Sequence, residues 1–409
     1  MVIAVIAAAV LTVAQVNGRV VSQANDSAEA EVLAENAVEY ALNVIANDST
    51  WRTDYPLLMA TGPVPMGRGT ISFTLVDDMG GTLATSTTDS IRIYGTGKVR
   101  NATKVYSLKA APVSPLNCLQ TVMDVSGAAT FGSTMTISGS GIIASNTSVT
   151  GNSNNFHALN VEAATTVLLC SGTGTYTGLA AARSLPDSTH VFDFYKNSSS
   201  AVNISYGSLT GSPTKSLTNR LLGPGVNSGG SGSANGIYVI DCAGGAITVS
   251  NCRVIGTLVL LNVGAGSAIQ SSNYFQQGWD GTGRPTGYPV LMVQGPIAIK
   301  TAAANLADSS ANSINYNQTG APYQGVTDTT YTTQYPSRFD GLVYVSGALT
   351  TSTVVNINGV LIVGSTYTGS AFSTLTLNYD SSFYKNPPPG FTGSVLAPAS
   401  GSWRWETAP

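Results

Sequence analysis

The first fifty residues constrain this chain more than any other stretch. Residues 2–14 read VIAVIAAAVLTVA, an apolar run without a charge. As a helix rising 1.5 Å per residue the run spans roughly 20 Å, short of the ~30 Å hydrocarbon core of a bilayer. A cleavable signal peptide, a membrane anchor truncated at its start and an assembly helix all match such a run, although no Lys or Arg precedes it as in a signal peptide. The next thirty residues favour the assembly helix. From Arg19 to Ala46 there is no proline, and Val20, Val21, Ala24, Ala28, Val32, Leu33, Ala37, Tyr40, Ala41, Val44 and Ile45 recur near a 3.6-residue period. The spacing predicts one continuous helix of about 45 residues, nearly 70 Å long, apolar in its first third and amphipathic beyond. Met1, Val2, Ile3, Val5, Ile6, Val10, Leu11, Val13 and Val16 form its candidate assembly face. Asn17-Gly18 is its candidate loosening point, since Gly costs ~1 kcal/mol relative to Ala in a helix interior. Glu31, Glu35 and Glu39 recur every four residues on one side, either as a solvated face or as a stripe that meets basic groups. The helix is expected to end near Asn47-Asp48-Ser49-Thr50.

Composition sets the kind of surface that the rest of the chain presents. Only 10% of the 409 residues are charged, against ~25% in ordinary soluble domains. Hydroxyls and amides must therefore keep the surface wet, a pattern that suits secreted, cell-surface and fibrous β proteins. A hydrophobic content of 43% in regular Val/Ile/Leu runs argues against a disordered chain. A net charge of −3 without any Lys/Arg cluster leaves no electrostatic footprint for nucleic acid. The four cysteines permit two disulfides in an exported protein, and Cys242 with Cys252 is the candidate local bridge. Four buried thiols is the competing reading. Without a C-x-x-C pair, and with His157 and His190 remote in sequence from Cys242 and Cys252, neither zinc nor any other cofactor is expected.

Three domains are expected: residues 1–54, the assembly or anchor helix; 55–112, a small antiparallel segment packed on it; and 113–409, a large β domain. In the second, 69–76 alternates and 91–94 and 104–108 are short β runs, which together suggest an antiparallel meander. Asp77-Asp78 reads as the end of an edge strand rather than a metal pair. In the third, TMTISGSGIIASNTSVTG (134–151), ITVSNCRVIGTLVLLNVGAG (247–266) and STVVNINGVLIVGSTYTG (352–369) resemble one another: two apolar strands separated by Gly/Asn/Ser corners. That is the pattern of a parallel β-helix, whose coils bury their faces only by stacking. A β-sandwich is the alternative. Asn356 and Asn358 are expected at internal corners, a short helix or excursion at Ile297–Ala307, a flexible loop at 223–236, and a surface patch or packed loop in the aromatic segment 270–290. The segment YDSSFYKNPPPGF (379–391) is expected as a proline-stiffened strap over the last coil.

Enzymatic function is not expected. Polysaccharide-cleaving β-helices need convergent carboxylates, or a carboxylate with a base. Here the acidic residues beyond 113 are scattered, with none within two positions of another. No G-x-S-x-G or P-loop context is present. Seven N-x-[ST] sequons occur, about as many as chance gives in a chain this rich in Asn, Ser and Thr.

The apolar helix running into AENAVEYAL (34–42), with AEAEVLAENAVEYALNVIANDSTWRTDY (28–55) and GRGTISFTLVDD (67–78), resembles type IV pilins. It is most similar to large minor pilins and pseudopilins, including pilin-like surface proteins of planctomycete-type bacteria. The resemblance implies a structural subunit of an extracellular filament, with helices in the core and β heads outside. It also implies self or other pilins as partners, and the inner membrane as host before assembly. Surface glycans are the other expected partner. Where the family carries a Glu at the fifth position this chain has Val5, and it shows neither a basic leader nor a peptidase-site Gly. A tip subunit or an unusual filament, mature or differently processed, is the corresponding expectation. A membrane-tethered monomeric adhesin or carbohydrate-binding β-helix is the alternative.

Overall fold

Helix α1 (Val2–Asn47) runs unbroken for 46 residues, passing through Asn17 and Gly18 without interruption. The computed structural model describes residues 2–48, 50–55, 61–78, 83, 90–152, 156–280, 283–393 and 395–406, without the side chains of Val2, Ala4 and Val5. The second half of α1 is held by an antiparallel meander: β1 (Val64–Met66), β2 (Gly69–Asp77), β3 (Ile91–Val99) and β4 (Ala102–Pro112). Strands β2 and β3 alternate buried and half-buried residues, which turns one face of the sheet toward the helix. From the helix side, Ala30, Leu33, Ala34, Ala37, Val38 and Ala41 are buried. Small residues let the two backbones approach closely. A Cβ added to Gly97 of β3 would lie 2.3 Å from the Ala30 carbonyl oxygen, and one added to Gly95 would lie 2.4 Å from that of Ala34. Asp78, just past β2, accepts Arg92 at 3.3 Å and Lys109 at 2.6 Å, so the second acid of the pair is ion-paired within the sheet.

The chain divides into two compact units, Met1–Ser114 with Gly393–Pro409, and Pro115–Thr392. The expected large domain, 113–409, is therefore too long at its C-terminal end. The backbone returns to the first unit there: Leu396–Pro398 and Arg404–Glu406 both pair antiparallel with β4, adding strands to an edge that would otherwise be open.

The second unit is a parallel β-helix: among the described residues one sheet has nine strands, and a second of fifteen forks into two rows through the long strands Arg338–Val345, Val354–Val363 and Thr136–Ser145. Its coils do not stack in sequence order. The chain enters mid-stack at Met123–Val125, Ala129–Phe131 and Thr136–Ser145, then winds outward to Thr166–Leu168 and Tyr176–Thr177. After the helix Ser188–Lys196 it restarts at the other end with Val202–Asn203 and Lys215–Thr218. It then returns coil by coil until Val354–Val363, Tyr367–Gly369 and Thr374–Tyr379 pair with the three strands of the entry coil. The similar stretches 134–151 and 352–369 thus lie near each other in the stack, one strand apart in each row, although about two hundred residues separate them in sequence. One apolar core fills the helix interior, and a second layer covers its flank. Val239, Val259, Met292, Tyr344 and Ile362 point outward into that layer, under Val191, Phe192 and Tyr195. Strands buried on both faces read as continuous apolar runs, as LVLL (258–261) does. Along the nine-stranded face, Thr150, Thr130, Thr368 and Thr350 stand in register and point outward, part of the hydroxyl surface that the composition requires.

Several local expectations are corrected. Residues 297–301 are a strand, because Ile297 and Ile299 alternate into the core. The helix is Ser188–Lys196 instead, capped by Asp187 accepting from the Thr189 and His190 amides. Asn356 and Asn358 lie within a strand rather than at corners. Asn358 donates to Asp340 at 2.8 Å and receives from Asn378 at 2.8 Å, forming a lateral amide ladder. The buried corner asparagine is Asn273, whose Oδ1 accepts from the Cys252 amide. Segment 223–236 is anchored by Tyr238, whose hydroxyl donates toward the Gly223 and Val226 carbonyls, and by the buried Ser233. The strap does not cap an end, since the last coil in sequence lies mid-stack. It lies along the flank, burying Phe383 and Phe391 in the second layer.

Candidate functional site

Residue 26 is where the helix meets its cover. From there on one face of α1 is buried by the meander, whereas residues 6–21 are exposed. Ile3 is 84% exposed, Ile6 58%, Val10 63%, Leu11 60%, Val13 59% and Val16 52%. Val20 and Val21 continue the surface at 57% and 59%. At about 100° per residue seven of these eight positions share an arc of roughly 140°, with Leu11 outside it, so the large side chains form a broad apolar stripe along the bare segment. Of the candidate assembly residues, Met1 and the side chains of Val2 and Val5 lie outside the described residues. Among the described residues no helix is long and apolar enough to cross a membrane.

A polar collar closes the covered half. Asp26 receives Arg100 at 3.4 Å and Arg68 at 3.8 Å, Glu29 pairs with Arg68, and Glu31 pairs with Lys104 at 3.0 Å. The expected glutamate stripe therefore splits: Glu31 is paired within the chain, while Glu35 and Glu39 are exposed on the side away from the sheet. Arg19 opens onto a cleft of about 400 Å³ that it shares with Ser22, Gln23, Asp26, Arg100 and Asn101.

Within the β-helix the structure brings together charges that are scattered along the sequence. Asp124 and Glu162 lie on one outward row with Ala144 between them, and Arg183 spans both. Arg183 donates to Glu162 at 2.8 Å and to the Asn117 carbonyl at 3.1 Å, but its Nε stands 3.9 Å from Asp124. Asp124 is fully buried and neither of its oxygens has a hydrogen-bond partner. Burial pushes its carboxyl up to about 7, opposed by Arg183 and reinforced by Glu162. Between the ordinary carboxylate value and 7 the folded chain holds a proton that the unfolded chain has lost, so stability falls as pH rises through this window. Asp124→Asn should remove that slope and make the protein more stable than the wild type at pH 8, by on the order of 2–4 kcal/mol. Urea denaturation at pH 5 and pH 8 checks this, and an unchanged slope would contradict it.

The candidate disulfide is absent: all four cysteines are free, with Cys118, Cys242 and Cys252 buried and Cys170 half-buried. Cys242 and Cys252 sit beyond opposite ends of the strand Ile247–Ser250. That strand alone spans roughly 13 Å, more than the ~7 Å that a bridge tolerates between Cα atoms. Sequence reasoning also missed Arg253, whose place inside an apolar run was the available signal. It is fully buried, and its guanidinium donates to the carbonyls of Tyr316, Ala321 and Pro322 at 2.6, 2.8 and 2.8 Å. Tyr335 and Tyr323 lie 5.0 and 5.4 Å from it. The aromatic segment 270–290 contributes Tyr274 to this cluster, so at that position it is packed core.

No family model matches the chain, and no curated protein matches it. Among solved structures, the chain is similar to the competence-associated pilin ComZ from Thermus thermophilus at 12% identity, over 93% of this chain and 98% of that one, with a TM-score of 0.28. It is also similar to an ice-binding protein from the Antarctic ascomycete Antarctomyces psychrotrophicus at 10% identity, over 65% of this chain and 98% of that one, with a TM-score of 0.25. Both superpositions are too loose to transfer a role.

Proposed function

We propose that this chain is a structural, pilin-like subunit of an extracellular filament, its N-terminal helices packed together in the core and its β domains outside. Its partners are other copies or other pilins, and before assembly the bare segment rests in the inner membrane. The observation that carries this reading is the uncovered first half of α1, which exposes eight large apolar side chains in a broad stripe. An exposed apolar surface of this extent marks an interaction site. Burying a Val, Leu or Ile side chain contributes about 1.5–3 kcal/mol, against an association cost of about 4–15 kcal/mol. The eight exposed Val, Ile and Leu side chains between Ile3 and Val21 outweigh that cost comfortably only when several neighbours cover them. Lateral packing among many copies meets that condition.

The role is structural rather than catalytic. The acidic pair that the fold draws together, Asp124 with Glu162, is locked by Arg183, and Asp124 is out of reach of solvent. The test is the full chain carrying Val10→Asp and Leu11→Asp. It should sediment as a monomer where the wild type pellets as polymer, with an unchanged thermal midpoint because both positions are exposed in the monomer. A variant that pellets like the wild type would refute the reading.

A further inference from the structure

We infer that Arg19 of one copy receives Glu35 and Glu39 of the next, so that charge sets the register between packed helices; this rests on the proposed filament. Arg19 is the first charged side chain in the sequence, with none among residues 1–18 and the next at Asp26. Downstream, Asp26, Glu29 and Glu31 are paired with Arg100, Arg68 and Lys104. Among the described residues this leaves Arg19, Glu35 and Glu39 as the charges of α1 without an ion pair in their own chain. One cation and two anions on a helix that packs against copies of itself are complementary.

Geometry decides how they meet. Glu35 and Glu39 follow Arg19 by 16 and 20 residues, roughly 24 and 30 Å along the axis and roughly 160° and 200° around it. The acidic and basic groups therefore stand on opposite sides of the helix. A two-fold dimer would need both on one face, so the contact is heterologous and repeats from copy to copy. Each neighbour is displaced by roughly 24–30 Å along the axis. The cleft beside Arg19 has room for a carboxylate, and its own Asp26 is already engaged by Arg100 at 3.4 Å. Enclosed between packed copies, a charge whose partner is removed is unfavourable, which makes the pairing selective for register.

The test uses the full chain and the critical concentration for polymer, read by pelleting. Arg19→Glu alone, and Glu35→Arg with Glu39→Arg, should each raise it at least about thirtyfold. The three substitutions together should return it close to wild type. Near-normal assembly of either charge variant, or no rescue by the combination, overturns the register while wild-type polymer leaves the filament reading standing. Absence of polymer from the wild type sinks both. A second arm places Arg19→Cys and Glu35→Cys in a Cys170→Ser background and adds a short bismaleimide. A ladder of dimers, trimers and higher species is expected; monomer only, or dimer only, contradicts the heterologous contact.

Discussion

Gly97→Val should strip the helix from its sheet. The Cβ of any residue at 97 would lie 2.3 Å from the Ala30 carbonyl oxygen and 2.4 Å from the Ala34 amide nitrogen. Neither is the tip of a flexible side chain, so the clash is relieved only by moving β3 and α1 apart. That separation exposes Leu33, Ala37 and Val38, which are buried in the native packing. Overpacking of this kind costs about 3 kcal/mol or more. The two compact units have their own cores, so the damage should stay in the first. Trypsin should then cut at Arg68, Arg92 and Arg100 while a fragment close to 115–392 persists. Wild-type protection of those three sites would show that the close approach does not hold the helix.

Arg253→Met is the second large effect. Methionine fills similar volume but leaves the carbonyls of Tyr316, Ala321 and Pro322 buried without donors. Each unsatisfied group costs about 1–3 kcal/mol, so a loss of about 3–5 kcal/mol is expected. The loss should be local first. Segment 302–337 interrupts the coil between the strands Ile297–Thr301 and Arg338–Val345, and Arg253 fastens its backbone to the stack. Hydrogen exchange should speed up across 302–337 before the remaining coils respond. Unchanged protection there would mean that Tyr316 and Tyr335 hold the segment without the arginine.

Where a pattern repeats locally the structure was legible in the sequence. The 3.6-residue period and the lack of proline gave α1, and the alternation at 69–76 gave the heart of the meander. Coil-like stretches gave a parallel β-helix because doubly buried strands leave unbroken apolar runs. The order of stacking was not legible. Val354–Val363 pairs with Met123–Val125 across more than two hundred residues, and only three-dimensional packing sets that register. For the same reason the strap was misplaced: the coil that is last in sequence is not last in space. At the candidate site, the uncharged apolar run of residues 2–14 was legible in the sequence, and the structure adds that the described part of it is bare. The division of the glutamates did not, because whether Glu31 is spent within the chain depends on where β4 puts Lys104. Arg253 and Asp124 likewise became visible only once the fold placed distant segments around them.

The central claim is that the bare half of α1 is covered by other copies of the chain. Negative-stain electron microscopy of material sheared from cells, with labelling against the β domain, addresses this directly. The account predicts labelled filaments that are lost when Val10→Asp and Leu11→Asp are introduced. Recovery of the chain only as detergent-soluble monomers, with no labelled filament, would contradict it.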